Sequence, residues 1–367
     1  MTGLRELNPG YFALVMATGI VSRAMRLNGA TGLSAVLLGA GIVAFVLLTV
    51  AYAGRFARYR GEFLADARDP RRAFGYFTFV AASDVLAVAL VADGRPTAAT
   101  AAAAFLLAIG SAGWLLLTYS LPLLLAGGSV LRPALSGANG TWFMWVVGTQ
   151  LIAVAATAFP PPVPAGLAAL AIVCWAVGVV LYLVITVMVT IARLQYPVRP
   201  GELGPAYWVF MGATAISTLA GAKLLTLPPS PLAAAVREIV AGLSVILWAF
   251  GTWLVPLLLI LGVWRHVVHR VPLTYEPGLW SIVFPIGMYG VAGHQLGAAL
   301  GASWLMGLGR YAAWLAFAGW AAVALGMAWA PVKRTARAVR AAAHVRRPRP
   351  GGAARPGAAS RKSTYLF

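Results

Sequence analysis

Five copies of a short aromatic-and-glycine segment, spaced almost evenly, constrain this chain more than any other feature. The first three run Gly10-Tyr11-Phe12-Ala13-Leu14-Val15-Met16-Ala17-Thr18-Gly19, Gly75-Tyr76-Phe77-Thr78-Phe79-Val80-Ala81-Ala82-Ser83-Asp84 and Gly140-Thr141-Trp142-Phe143-Met144-Trp145-Val146-Val147-Gly148-Thr149. The last two open Ala206-Tyr207-Trp208-Val209-Phe210-Met211-Gly212 and Gly278-Leu279-Trp280-Ser281-Ile282-Val283-Phe284. Their starts at 10, 75, 140, 206 and 278 lie 65, 65, 66 and 72 residues apart. Self-similarity at a near-fixed period means one supersecondary unit repeated. Each copy has an aromatic residue at its third position and opens a long apolar run, so the unit is expected to be membrane-embedded.

Composition supports that solvent. Hydrophobic residues make up 61% of the chain and charged residues only 10%, against about 25% charged in a soluble domain. In a soluble protein the net charge of +19 would point to nucleic acid; here no nucleic-acid partner is expected, and the charges mark topology. The single cysteine, Cys174, excludes an intramolecular disulfide framework and a cysteine-rich zinc site. The first apolar run lacks the small-residue cleavage site of a secretory signal.

Apolar runs long enough for about 30 Å of hydrocarbon are expected near 9–28, 33–54, 74–92, 98–125, 140–160, 163–192, 205–226, 232–264, 278–300 and 307–330. The expected fold is all-α: ten transmembrane helices as five hairpins with quasi-fivefold repetition around a central path. The expected organisation is a cytoplasmic N-terminus at 1–8, a transmembrane domain at 9–330 and a basic, disordered cytoplasmic tail at 331–367. The connection after the second run carries Arg55, Arg58, Arg60, Arg68, Arg71 and Arg72, and the tail ten more cations between Lys333 and Lys362. The opposite side has Arg23, Arg26, Arg95, Lys223, Arg237 and Arg310. The positive-inside rule then puts both termini in the cytoplasm, with the protein multi-pass in the cell membrane.

Superimposing the copies aligns Met16, Ala81, Val146, Gly212 and Phe284 at the seventh position. About one turn deeper stand Gly19, Asp84, Thr149, Ala215 and Gly287. These ten positions are expected to line a narrow, mostly uncharged passage, because small residues let helices approach closely or leave room. Phe284 is the one large ring among them and is placed to plug the path. Pro285 removes a backbone hydrogen bond and is expected to kink the helix beside it. The plain alternative for Phe284 is packing.

The chain resembles the tellurite-resistance/dicarboxylate transporter family, which includes bacterial tellurite-resistance proteins, the plant slow-type anion channels and the yeast malic acid transporter. The likeness is carried by Asn8-Pro9-Gly10-Tyr11-Phe12 through Gly19-Ile20-Val21-Ser22, the copy from Gly75 to Leu86, Ala138-Asn139-Gly140-Thr141-Trp142, and Trp280-Ser281-Ile282-Val283-Phe284-Pro285. It extends from residue 8 to about 330. The resemblance implies five hairpins whose odd-numbered helices line a pore, a homotrimer of separate pores, and Phe284 as gate. It also implies transport of small anions or organic acids, dicarboxylates such as malate foremost. Passive chloride or nitrate conduction and sulfite or tellurite efflux are the alternatives.

Asp84 departs from a simple anion conduit, since a fixed negative charge beside the path repels anions. An ionised carboxylate near the bilayer centre costs about 3 kcal/mol or more. It can be neutral, pair with Arg23, Lys223 or His294, or take up and release a proton that couples transport to a gradient. Arg23, Lys223 and His294 fall toward the non-cytoplasmic ends of odd-numbered runs and are expected to form an anion-attracting vestibule; snorkelling to headgroups is the plain alternative. Thr18, Ser83, Thr149, Gln150, Thr214 and Ser217 are available to a partly dehydrated anion, or to their own helix backbone. No metal-ligand or nucleotide-binding spacing appears, so no cofactor, no metal and no enzyme chemistry are expected. A membrane-embedded enzyme would need paired acids at membrane depth. Channel and proton-coupled carrier remain competing mechanisms.

Overall fold

Each repeated segment begins with a short 3-10 turn: Pro9–Phe12, Ala73–Tyr76, Gly140–Trp142, Pro205–Tyr207 and Pro277–Leu279. Proline at the first helical position sets φ and needs no N–H partner, which suits Pro9, Pro205 and Pro277. Asn8 and Asn139 instead cap their turns, the side chains accepting from the Gly10 and Thr141 amides at 2.8 Å. The structure, a computed structural model, describes residues 2–91, 97–126, 135–160, 163–196 and 199–345. From each turn a helix of the repeat follows, and then a longer one. They are α1 (Ala13–Leu27), α2 (Thr31–Arg58), α3 (Phe77–Val91), α4 (Thr97–Ala126) and α5 (Phe143–Ala156). The second half continues with α6 (Ala165–Gln195), α7 (Trp208–Leu224), α8 (Pro231–Val263), α9 (Trp280–Leu300) and α10 (Ser303–Val345). No strand occurs among the described residues.

Packing sorts these helices into two layers. Each odd-numbered helix lies against the long helix that follows it, and the odd helices close a cycle in the order α1, α3, α5, α7, α9 and back to α1. The turns before them form a second cycle at the same end, each touching the next. Glycine at the first motif position permits this. A Cβ on Gly140 would stand 2.2 Å from the Ala206 carbonyl oxygen, and one on Gly75 3.1 Å from the Gly10 nitrogen. The third-position aromatics Phe12, Phe77, Trp142 and Trp280 are all buried. Trp142 donates its indole N–H to the Pro70 carbonyl at 2.8 Å, and Phe12 packs on Phe45, Tyr52 and Phe79. The repeated motif therefore encodes a pinned ring of helix starts.

Among the described residues six helices are long and apolar enough to cross a membrane: α2, Ala73–Val91, α4, α6, Pro231–Val268 and the Ser303–Ala330 part of α10. This is fewer than the ten expected runs. Length accounts for α5, whose 14 residues make only about 21 Å of helix, short of about 30 Å of hydrocarbon; the polar and basic residues of α1 and α7, Arg23, Arg26 and Lys223 among them, lower their hydropathy. Gly287, Gly290, Gly293, Gly297, His294 and Gln295 dilute α9. Short helices fit the interior because the long ones surround them. The apolar window of Ala73–Val91 is 83% buried, against 22% in α4 and 11% in α10.

Two further features differ from the sequence expectation. Helix α10 runs on to Val345, well past 330, as an Ala- and Arg-rich stretch of high helix propensity allows; residues 346–367 lie outside the described residues. At the start-of-repeat end, a short helix, Arg60–Arg68, is held by a buried ion cluster. Asp66 receives Arg55 at 2.6 Å and Arg72 at 2.5 Å.

Candidate functional site: a cavity on the axis of the helix ring

Inside the cycle of odd helices, toward their C-terminal ends, lies a cavity of about 20 Å³ to which all five contribute. Helix α1 supplies Gly19, Ile20 and Arg23; α3 supplies Val85 and Val88; α5 supplies Leu151 and Val154. Leu219 and Lys223 come from α7, and Met288, Val291 and Gln295 from α9. A space of this size holds about one water. Its charged residues, Arg23 and Lys223, are both cationic.

Helical spacing connects the cavity to Phe284. Met288, Val291 and Gln295 follow Phe284 at steps of four, seven and eleven, which keeps them on one face. Leu219 is seven beyond Gly212, and Val85 and Val88 are four and seven beyond Ala81. Arg23 is seven beyond Met16. In the third copy the same spacing runs from Val147 to Leu151 and Val154, so Val147 rather than Val146 takes this position. Phe284 is 1% exposed and lies one turn below the cavity on this stripe. Helix α9 continues through Pro285, whose ring fills the space beside Gly212: a Cβ there would stand 2.8 Å from Pro285 Cγ.

Of the deeper expected ring, only Gly19 lines the cavity. A step of three residues falls about 60° short of a full turn, and the other members sit off the stripe. Thr149 accepts from the Trp114 indole of α4 at 2.7 Å. Gly287 lies where α1 and α10 meet it, a Cβ there falling 3.0 Å from Ile20 and 3.6 Å from Ala316. Ala215 is buried and is not among the cavity residues. Asp84 is fully buried with its carboxylate against α4, 2.8 Å from where a Cβ of Gly110 would be. Among the described residues neither oxygen has a hydrogen-bond partner, so the pairing with Arg23, Lys223 or His294 is not made.

His294 also leaves the expected vestibule. It lines a separate cleft with Asn28 and Arg310, between α1, α9 and α10, while its neighbour Gln295 takes the place in the cavity. The hydroxyls satisfy their own helices: Thr18, Ser83, Thr149, Thr214 and Ser217 donate to Leu14, Phe79, Trp145, Met211 and Ala213 carbonyls. Gln150 donates to the Trp175 carbonyl of α6. The cavity residues Val88, Leu151, Val154, Leu219, Met288, Val291 and Gln295 escaped sequence reasoning, although steps of four and seven from the seventh position reach most of them.

Comparison with known proteins is consistent along the chain. The profile of the SLAC1 family, described as voltage-dependent anion channel, matches residues 6–328. An uncharacterized membrane protein of Mycobacterium tuberculosis is 49% identical over 140 residues, covering 38% of this chain and 71% of the relative. An uncharacterized transporter of Methanocaldococcus jannaschii is 22% identical over 332 residues, covering 86% of this chain and 92% of the relative.

Proposed function

The chain belongs to the SLAC1 voltage-dependent anion channel family, and from that premise we propose that it passes small anions along the axis of its five-helix ring, with Phe284 as the gate. In this reading the ten helices span the membrane as five hairpins, and the start-of-repeat end faces the cytoplasm. Both termini lie there, the membrane is the cell membrane, and the working form is a homotrimer of independent pores. One observation carries the reading: all five odd helices meet in a cavity whose charges are both positive, directly above a buried phenylalanine.

Two electrostatic features favour an anion. Arg23 and Lys223 raise its concentration at one mouth. At the other, five helix N-termini converge, each carrying partial positive charge. The neighbouring cations suit a doubly charged substrate, which favours a dicarboxylate such as malate over chloride or nitrate. The placement of Asp84 against Gly110 favours a passive gated path over proton coupling. We assign Asp84 to the packing between α3 and α4, and the family assignment supports transport as the activity.

The test is flux into proteoliposomes for malate, chloride, nitrate and sulfite, with and without a proton gradient. The reading predicts gradient-independent flux with malate preferred. Uptake that requires the gradient would restore the coupled carrier, and absence of anion flux would remove the proposal.

A further inference from the structure

A concavity larger than the axial cavity lies off the axis. A groove of about 610 Å³ opens at the start-of-repeat end, between the last turns of α8, residues 203–208 and the segment 271–282 that leads into α9. Its floor and walls are mostly apolar, with Leu259 and Val263 among them. Both are more than half exposed, at 54% and 56%, and both belong to the candidate span Pro231–Val268. The apolar part of the groove is thus continuous with a surface suited to lipid chains. At its rim α8 loosens into a π-helical turn, Trp264–Val268, a feature often found at functional positions. That turn brings Arg265 and His266 to the groove, with His269 and Arg270 just beyond in sequence.

Arg265 is partly engaged. It donates to the Leu203 carbonyl at 2.9 Å and stands 3.8 Å from Glu276. Its Nε is buried and has no hydrogen-bond partner. His266 meets the Val271 carbonyl through Nδ1 at 2.8 Å, which leaves its other ring nitrogen available. The arrangement is an apolar slot capped by Arg265 and His266 where the helix would leave the membrane. We propose that the groove binds one anionic phospholipid, an acyl chain lying along Leu259 and Val263 and the phosphate meeting Arg265 and His266. This rests on the membrane placement argued above, since the cationic rim must lie at headgroup level. Glu276 opposes an anion in part; Arg270, just beyond the groove in sequence, adds a second full cation beside Arg265, and juxtamembrane cations favour an anionic surface. Leu279 and Ile282 also line the groove and stand within five residues of Phe284. A bound lipid would therefore contact the start of the gate helix.

Native mass spectrometry of the full-length protein tests the site without reference to flux. The protein is incubated with phosphatidylglycerol or with phosphatidylcholine, and the retained lipid mass is read. Retention of phosphatidylglycerol in preference to phosphatidylcholine is expected. Gly262 lines the groove, and a Cβ there would meet nothing within 4 Å, so Gly262→Trp starts from open space, adds bulk to the slot and is expected to abolish retention. Arg265→Gln should erase the preference. Equal retention of the two lipids by the native chain overturns the proposal, as does unchanged retention in Gly262→Trp. A change of oligomeric mass in Gly262→Trp, with no lipid retained by the native chain, would assign the groove to a second copy and overturn it too. If lipid is retained but no anion flux is found, the site stands and the permeation reading fails; flux without retention gives the converse.

Discussion

Phe284 is a bulky ring at a repeat position that the other copies fill with Met16, Ala81, Val146 and Gly212, and that contrast was readable by aligning the copies. Asp84 was not readable in the same way. A three-residue step rotates off the stripe, and only the close approach of Gly110 reveals which way the carboxylate turns. The same one-position error separates His294 from Gln295. Two predictions belong at this scale. Asp84→Asn should leave anion flux, and its indifference to a proton gradient, as in the native chain; a flux that loses gradient dependence on this change alone would make Asp84 a coupling group. Lys223→Gln should lower anion flux, with the deficit shrinking as salt rises because screening weakens the native advantage. A salt-independent deficit would assign Lys223 to packing instead.

The helices were legible from apolar runs and repeat spacing, and except for the far end of α10 their boundaries fall close to those expected. The 3-10 turns that open the repeats were not, since short turns leave little periodic signal. They explain the motif: proline or capped asparagine starts the turn, glycine lets neighbouring turns touch, and the aromatic pins the assembly. Gly140→Ala places a methyl 2.2 Å from the Ala206 carbonyl oxygen. Overpacking of this kind costs about 1–3 kcal/mol, so a lower thermal midpoint in detergent is expected. Gly39→Ala on exposed α2 meets nothing within 4 Å and should leave the midpoint unchanged or slightly raised. Equal midpoints for the two variants would mean that the ring of turns can relax.

At the scale of the whole molecule, near-fivefold repetition produces two closed cycles, and long outer helices let shorter inner ones serve the axis. Repetition made the layered plan legible. It hid the inner helices' shortness, because apolar loop residues extend the runs, and it hid the large groove, because no single repeat contains it. The account stands on Phe284 closing the axis, so the decisive measurement is malate and chloride flux into proteoliposomes for the native chain and Phe284→Ala at matched protein density. Faster flux in Phe284→Ala, still indifferent to a proton gradient, is the predicted result. Unchanged or reduced flux from a variant that folds and inserts as the native chain does would contradict it and return Phe284 to packing.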